Sequence, residues 1–296
     1  MEIIVITGPT AVGKTRLSIE LAKKLNGEII NADAMQVYKG LNIGTAKVTE
    51  EEKENIPHHL FDIKEIEEDY TIYHYQQDCR KVIEDIINRG KTPILVGGTG
   101  LYIKSALYDY QLSEEKETNT YDELTTEEIY NELIKLDKDI DIDKNNRRRL
   151  IRALNYYKEN NNSITKNKTD KLLYDTLFIG LTTNRENLYQ KINKRVEEMI
   201  DNGLLEEVKY YYDKNVKTKP LLNGIGYKEI YNYLDGKISK EEAIEKIKQN
   251  SRHYAKRQYT FFNHKLPIVW FETDYNNFNN TVEKVINYIE NQKNML

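Results

Sequence analysis

Cysteine is nearly absent from this chain. Cys79 stands alone among 296 residues, which excludes an intrachain disulfide framework and a cysteine-built metal site and suits a reducing compartment. Its neighbours Ile72, Val82, Ile83 and Ile86 make it a small buried hydrophobe on a helix. No apolar run is long enough to cross a bilayer, and the N-terminus runs straight into a strand with no space for a charged leader. A cytoplasmic protein without a membrane partner is expected. Net charge is only −4, so a strongly basic, nucleic-acid-binding composition is lacking and only local clusters can speak for such a partner. Internal repeats are lacking too. Glycine is sparse, 14 residues beside 23 tyrosines, and this reads as base-composition bias. What remains, 39% hydrophobic and 31% charged over this length, can bury a substantial core in one large domain or two unequal ones.

One segment carries a defined chemistry. Gly8-Pro9-Thr10-Ala11-Val12-Gly13-Lys14-Thr15 follows the apolar strand Ile3–Ile6 and matches the phosphate-binding loop at every defined position. Its glycines let backbone N–H groups converge on a polyphosphate, Lys14 adds a compact positive charge, and Thr15 offers a hydroxyl to Mg²⁺. The helical spacing of Leu17, Leu21 and Leu25, with Gly27 stopping the run, supplies the helix that such a loop needs behind it. The loop reads phosphates, not what is attached to them.

The first third alternates strand and helix: strands at Ile3–Thr7, Glu28–Asn31 and Pro93–Val96, helices at Lys14–Leu25 and from Tyr70 to Arg89, with Gly90 closing the latter. Asp33, Thr99 and the phosphate loop fall beyond strand ends, where open parallel sheets bind ligands. After about Tyr110 the pattern turns acidic at Ser113–Glu117, then helical over Glu127–Leu136 and Arg148–Tyr157, with Asn160–Asn162 and a lysine-threonine tract as a linker. A strand over Thr176–Leu181, helices at Glu186–Asp201, Leu204–Tyr212, Lys228–Leu234 and Lys240–Asn263, and a strand at Ile268–Phe271 complete the chain. The expected fold is α/β, a parallel sheet core of the P-loop NTPase type flanked by helices. It is discontinuous, 1–109 and 171–296, with a smaller all-helical insertion domain at 110–170.

Asp33 can bind Mg²⁺, orient a nucleophile or act as a base, and Asp is equally a common turn or capping residue. Arg148 and Arg152 are one helical turn apart beside Arg149, a pattern that suits RNA phosphates or a solvated face. Arg252–Tyr259 mixes cations with aromatics, as single-stranded RNA sites do. Lys191 and Arg195 are also one turn apart, and spacing alone favours water for both.

These segments, in order, resemble the tRNA dimethylallyltransferases: Gly8–Thr15, Asp33–Lys47, Pro57–Ile63, Val96–Tyr102, Asn145–Leu154, Gly203–Val208, Ile225–Glu229 and Tyr254–Gln258. The resemblance implies transfer of a dimethylallyl group from dimethylallyl diphosphate to N6 of adenosine 37, beside the anticodon of tRNA. The phosphate loop would hold the diphosphate leaving group. Asp33 would be the base, Thr99 would bridge the amine and diphosphate sides, and Lys14, Arg195 and Mg²⁺ on Thr15 would stabilise the departing charge. The base would be flipped out. RNA would be held by Asp33, Ala34, Met35 and Gln36, by Arg148, Arg149 and Arg152 of an insertion closing over the anticodon stem-loop, and by Gly224, Gly226, Tyr227 and Lys228. A monomer is expected.

Two departures from the family pattern, the short acidic stretch without arginine over Ser113–Glu128 and Thr260–His264 in place of tryptophan and paired arginines, predict weaker RNA binding. The competing reading from the loop alone is a small-molecule kinase using ATP, with Arg147–Arg152 as its lid.

Overall fold

A computed structural model describes residues 3–110, 112, 120–164 and 170–294. The acidic stretch at 113–117 and the lysine-threonine tract at 165–169 lie outside the described residues. The chain forms two compact units, one of Met1–Ala106 with Tyr174–Leu296 and one of Leu107–Leu173.

The larger unit is built on six strands: β1 (Ile3–Thr7), β2 (Gly27–Asn31), β3 (His58–His59), β4 (Thr92–Val96), β5 (Thr176–Thr182) and β6 (Val269–Glu272). Their order is β3-β2-β4-β1-β5-β6 and every pairing is parallel. Both faces of β1 and β2 are buried, which is why these strands read as unbroken apolar runs instead of alternating ones. The flanking helices are α1 (Lys14–Leu25), α2 (Ile72–Asn88), α3 (Gly100–Leu107), α6 (Arg185–Asp201), α7 (Leu204–Asp213), α8 (Lys219–Asn223), α9 (Tyr227–Leu234), α10 (Lys240–Lys265) and α11 (Phe278–Lys293).

Helix α1 occupies the expected residues, and Leu17, Leu21 and Ala22 face the core, but Gly27 does not stop it. Asn26 does, in the left-handed conformation (φ 49°), and Gly27 already opens β2. Asparagine tolerates that conformation at modest cost. Helix α2 begins two residues later than expected because Thr71 caps it in a reciprocal capping box with His74. Cys79 is fully buried on it.

The smaller unit packs α4 (Thr126–Leu136) on α5 (Arg147–Asn160) around Ile129, Leu133, Leu150, Ala153 and Leu154. Its two ends are stitched together, Leu173 N–H donating to Leu107 O at 2.8 Å and Asp109 N–H to Lys171 O at 2.9 Å. Among the described residues no helix is long and apolar enough to cross a membrane.

Candidate active site

The carboxyl ends of β2, β4 and β1 are neighbours in the sheet, so the segments leaving them meet: Ala32–Tyr38, Gly97–Thr99 and the phosphate loop. Hydrogen bonds continue past the strands. Ala32 N–H donates to Val96 O (2.8 Å), Thr99 N–H to Ala32 O (3.1 Å), and Thr7 Oγ1 to Gly97 O (3.1 Å). Gly97 is required at this crossing, since a Cβ there would lie 2.2 Å from Ala32 O.

The phosphate loop turns through left-handed residues at Ala11 (φ 68°) and Gly13 (φ 94°) and enters α1 at Lys14. The Lys14 ammonium donates to Gly8 O (3.1 Å) and Pro9 O (2.7 Å). Burial, aided by the Arg195 charge and opposed by Asp33, lowers its pKa to about 7. Arg195, projecting from α6, donates to Thr10 Oγ1 at 2.8 Å. It is half-buried, and desolvation lowers its pKa against the attraction of Glu198, Glu52 and Asp33. Lys191, one turn earlier, is exposed over the Tyr275 ring at 4.6 Å. The two cations therefore part company: Arg195 reaches the loop and Lys191 does not. Gln258 of α10 accepts the Thr10 N–H (3.2 Å) and donates to Gly98 O (3.1 Å).

Asp33 lies opposite. Its backbone is fixed by Asn31, whose side chain accepts the Asp33 N–H (2.9 Å) and donates to the Asp33 and Leu60 carbonyls (both 3.0 Å). The Asp33 carboxylate accepts the Met35 N–H at 2.9 Å. Desolvation raises its pKa, while the Met35 and Gln36 amides and the charges of Lys14 and Arg195 pull it down. Asp33, Lys14 and Arg195 thus share one electrostatic environment. Thr99 Oγ1 accepts the Ala34 N–H at 3.1 Å and is hydrogen-bonded to the Tyr254 phenol. The half-buried Tyr254 phenol neighbours Thr99, and burial followed by the Asp33 charge raises its pKa.

Beside Asp33 the structure assembles several of the segments expected to hold RNA. Gln36 donates to the Thr45 carbonyl (3.0 Å), and a Cβ on Gly224 would sit 2.7 Å from Met35 Cε, so the 33–36 and 224–228 segments touch. Glu207 of α7 accepts the N–H groups of Asn42 (2.9 Å), Ile43 (2.8 Å) and Gly44 (3.1 Å) and the Tyr227 hydroxyl (2.6 Å). This corrects one expectation: Tyr227 is fully buried against Gly44, so it braces the loop and offers no ring to an RNA base. Gly226 is buried too, with its N–H on Glu229 (2.8 Å), whereas Lys228 is part-exposed.

In the smaller unit, Arg148, Arg149 and Arg152 are exposed on α5. Arg147 is different. It donates to the Leu124 (2.6 Å) and Tyr121 (2.7 Å) carbonyls and is a structural tie, not a lid residue.

Gln258 and Glu207 lie within the segments Tyr254–Gln258 and Gly203–Val208, yet no task follows for either from the sequence. The signal available was weak: a Gln amid a basic run, and a Glu in an amphipathic helix. His58–His59, read only as part of a motif, forms the edge strand β3, and Glu28 behind it binds His59, Arg89 and Lys91.

A family model described as IPP transferase matches residues 36–265. A tRNA dimethylallyltransferase of Anoxybacillus flavithermus is 49% identical, covering 98% of this chain and 96% of the relative. One from Bacillus subtilis is 46% identical over 91% of this chain and 90% of its own length. The crystal structure of a tRNA delta(2)-isopentenylpyrophosphate transferase from Staphylococcus epidermidis superposes with a TM-score of 0.75 at 41% identity, covering 98% of this chain and 99% of that one. A eukaryotic dimethylallyltransferase acting on tRNA gives a TM-score of 0.82 at 35% identity over 91% of this chain and 73% of its own.

Proposed function

This chain belongs to the IPP transferase family, and from that premise we propose that it is a tRNA dimethylallyltransferase, moving the dimethylallyl group of dimethylallyl diphosphate onto N6 of adenosine 37 of tRNA. The observation that carries the reading is the opposition of a half-buried carboxylate, Asp33, to a phosphate loop that bears Lys14 and is met at Thr10 by Arg195 of α6. A kinase would set a nucleotide's phosphates in the same loop, so the family, and not the loop, separates the two readings. Prenyl transfer needs what is present: a diphosphate cradle on one side and a base on the other.

In the proposed reaction the N6 lone pair forms the new bond to C1 of the dimethylallyl group as the C1–O bond breaks and its electrons leave on diphosphate. An exocyclic amine is a poor nucleophile because its lone pair is delocalised into the purine. Asp33 takes the N6 proton, and its raised pKa brings it nearer the working pH of a general base. Thr99 donates a hydrogen bond between the amine and the diphosphate. Lys14 leaves the Gly8 and Pro9 carbonyls for the diphosphate, and Arg195, already at Thr10, stabilises the charge that grows on the leaving group.

Mg²⁺ would be held through the hydroxyl of Thr15, part-buried in the first turn of α1 directly after Lys14. Among the described residues no group of three His, Cys, Asp or Glu could hold a metal, so the ion would rest on Thr15, diphosphate oxygens and water. When bound it would neutralise diphosphate charge. The 33–36 segment and Lys228 would meet the anticodon loop, and Arg148, Arg149 and Arg152 would meet RNA phosphates.

The direct test mixes the protein with Mg²⁺, labelled dimethylallyl diphosphate and tRNA carrying A36-A37-A38, and follows label into RNA. Incorporation at A37 supports the reading. Phosphoryl transfer from ATP without prenyl incorporation would replace it with the kinase.

A further inference from the structure

The proposed reaction places base and leaving group on two different loops, so their separation must be held by something. At the sheet's carboxyl edge the β1–β4 ladder and the Thr7–Gly97 bond do this, but neither reaches Thr10. Beyond them, Gln258 spans the gap. Its Oε1 accepts the N–H of Thr10, on the phosphate loop, and its Nε2 donates to the carbonyl of Gly98, next to Thr99. The side chain is only 6% exposed, and a Cβ on Gly98 would lie 2.1 Å from Nε2. The carboxamide is thus gripped from both sides, with no room to rotate away. Thr10 is held twice, by Gln258 at its N–H and by Arg195 at its hydroxyl.

We infer that Gln258 is a positioning residue for the transfer step: its carboxamide fixes the distance between the diphosphate-holding loop and the Asp33–Thr99 wall. This inference rests on the prenyl-transfer reading above. The chemistry explains the residue type. One wall presents a donor and the other an acceptor, and a neutral amide of this length answers both. Leucine would answer neither, leaving a buried N–H and a buried carbonyl to find other partners by moving the loops. Displacement of reacting groups by about 1 Å can cost on the order of 100-fold in rate. Glutamate would keep the acceptor for Thr10 but set a lone pair against Gly98 O until it is protonated.

The test compares wild type, Gln258→Leu, Gln258→Glu and Gly98→Ala for kcat and for KM of each substrate. Expected for Gln258→Leu is a kcat about 10- to 100-fold lower with KM for tRNA within about twofold of wild type. Gly98→Ala, which pushes the amide off its carbonyl, should behave alike, and combining the two should add little. Gln258→Glu, which keeps the acceptor for Thr10 and loses the donor to Gly98 O, should likewise lower kcat at neutral pH with KM for tRNA near the wild-type value. If Gln258→Leu fails to fold, Gln258→Glu and Gly98→Ala still decide by the same split of kcat from KM. A wild-type-like kcat in Gln258→Leu or in Gly98→Ala, or a defect confined to the KM for tRNA, overturns the inference alone. Wild-type protein that transfers no label overturns the reading of the reaction and this inference with it.

Discussion

Replacing Asp33 by asparagine should move two steps of the reaction in opposite directions. Asparagine keeps the oxygen that accepts the Met35 N–H at 2.9 Å, so the turn and the fold survive. Proton abstraction does not. Loss of a positioned general base costs about 100- to 10,000-fold, or about 3 to 5 kcal/mol on the barrier. Diphosphate binding should respond the other way. The carboxylate partly neutralises Lys14 and Arg195, and it repels a bound polyanion. Two unit charges about 7 Å apart interact by about 2 kcal/mol at an effective dielectric of about 20, and solvent screening trims that. Binding of a non-reacting diphosphate analogue should therefore tighten up to about tenfold, while single-turnover transfer collapses. Calorimetry measures the first effect and rapid quench the second. A variant that keeps more than about a tenth of the transfer rate, or binds diphosphate several-fold more weakly, would refute the assignment of Asp33 as a base facing the leaving group.

Lys14 predicts a proton-linked affinity: its pKa of about 7 in the free protein lies below the ordinary value of 10.5, so between those values the native state holds fewer protons than the unfolded one, and this residue's stability contribution rises with pH. Diphosphate reverses that preference, so binding at pH 8 should take up a proton and affinity should fall by up to about tenfold per pH unit above 7, seen by calorimetry in buffers of different ionisation enthalpy. Arg148→Ala should weaken tRNA binding and reduce the slope of log K against log salt by about 1, with diphosphate affinity untouched. Glu28, 1% exposed and hydrogen-bonded by Arg89, Lys91 and His59, has its pKa held far below the carboxylate range, so its stabilisation is complete above the unfolded value and is lost as pH falls below about 4. Glu28→Gln should cost about 3 kcal/mol at pH 7 in denaturant titration, and less in acid.

The legible parts of this protein were those set by neighbours along the chain. The span of α1 follows from the loop before it and the spacing of Leu17, Leu21 and Leu25, and β1 and β4 stand out as short apolar runs with glycines after them. Both strands of the far edges were weaker signals. β3 is two residues long and carries no pattern of its own, whereas β6, though half-exposed, follows the strand expected at Ile268–Phe271 to within one residue at each end. Helix α8, five residues opened by Pro220 in its first turn, is too short for any periodicity. In the basic run, Arg147 and Arg148 are adjacent and identical in kind, yet one ties down two carbonyls and the other faces solvent. A helix turns 100° per residue, and only the packing says which way it points.

From the order of residues alone came the phosphate loop, the alternation that makes a parallel sheet, and the set of motifs that places the chain in its family, because each depends on atoms a few positions apart. Tertiary structure decided the rest. Gln258 meets Thr10 across 248 positions and Glu207 meets Ile43 across 164. Such contacts leave no trace in local spacing, since a hydrogen bond between distant segments depends on where the whole sheet and its helices bring them, and not on what lies beside either partner.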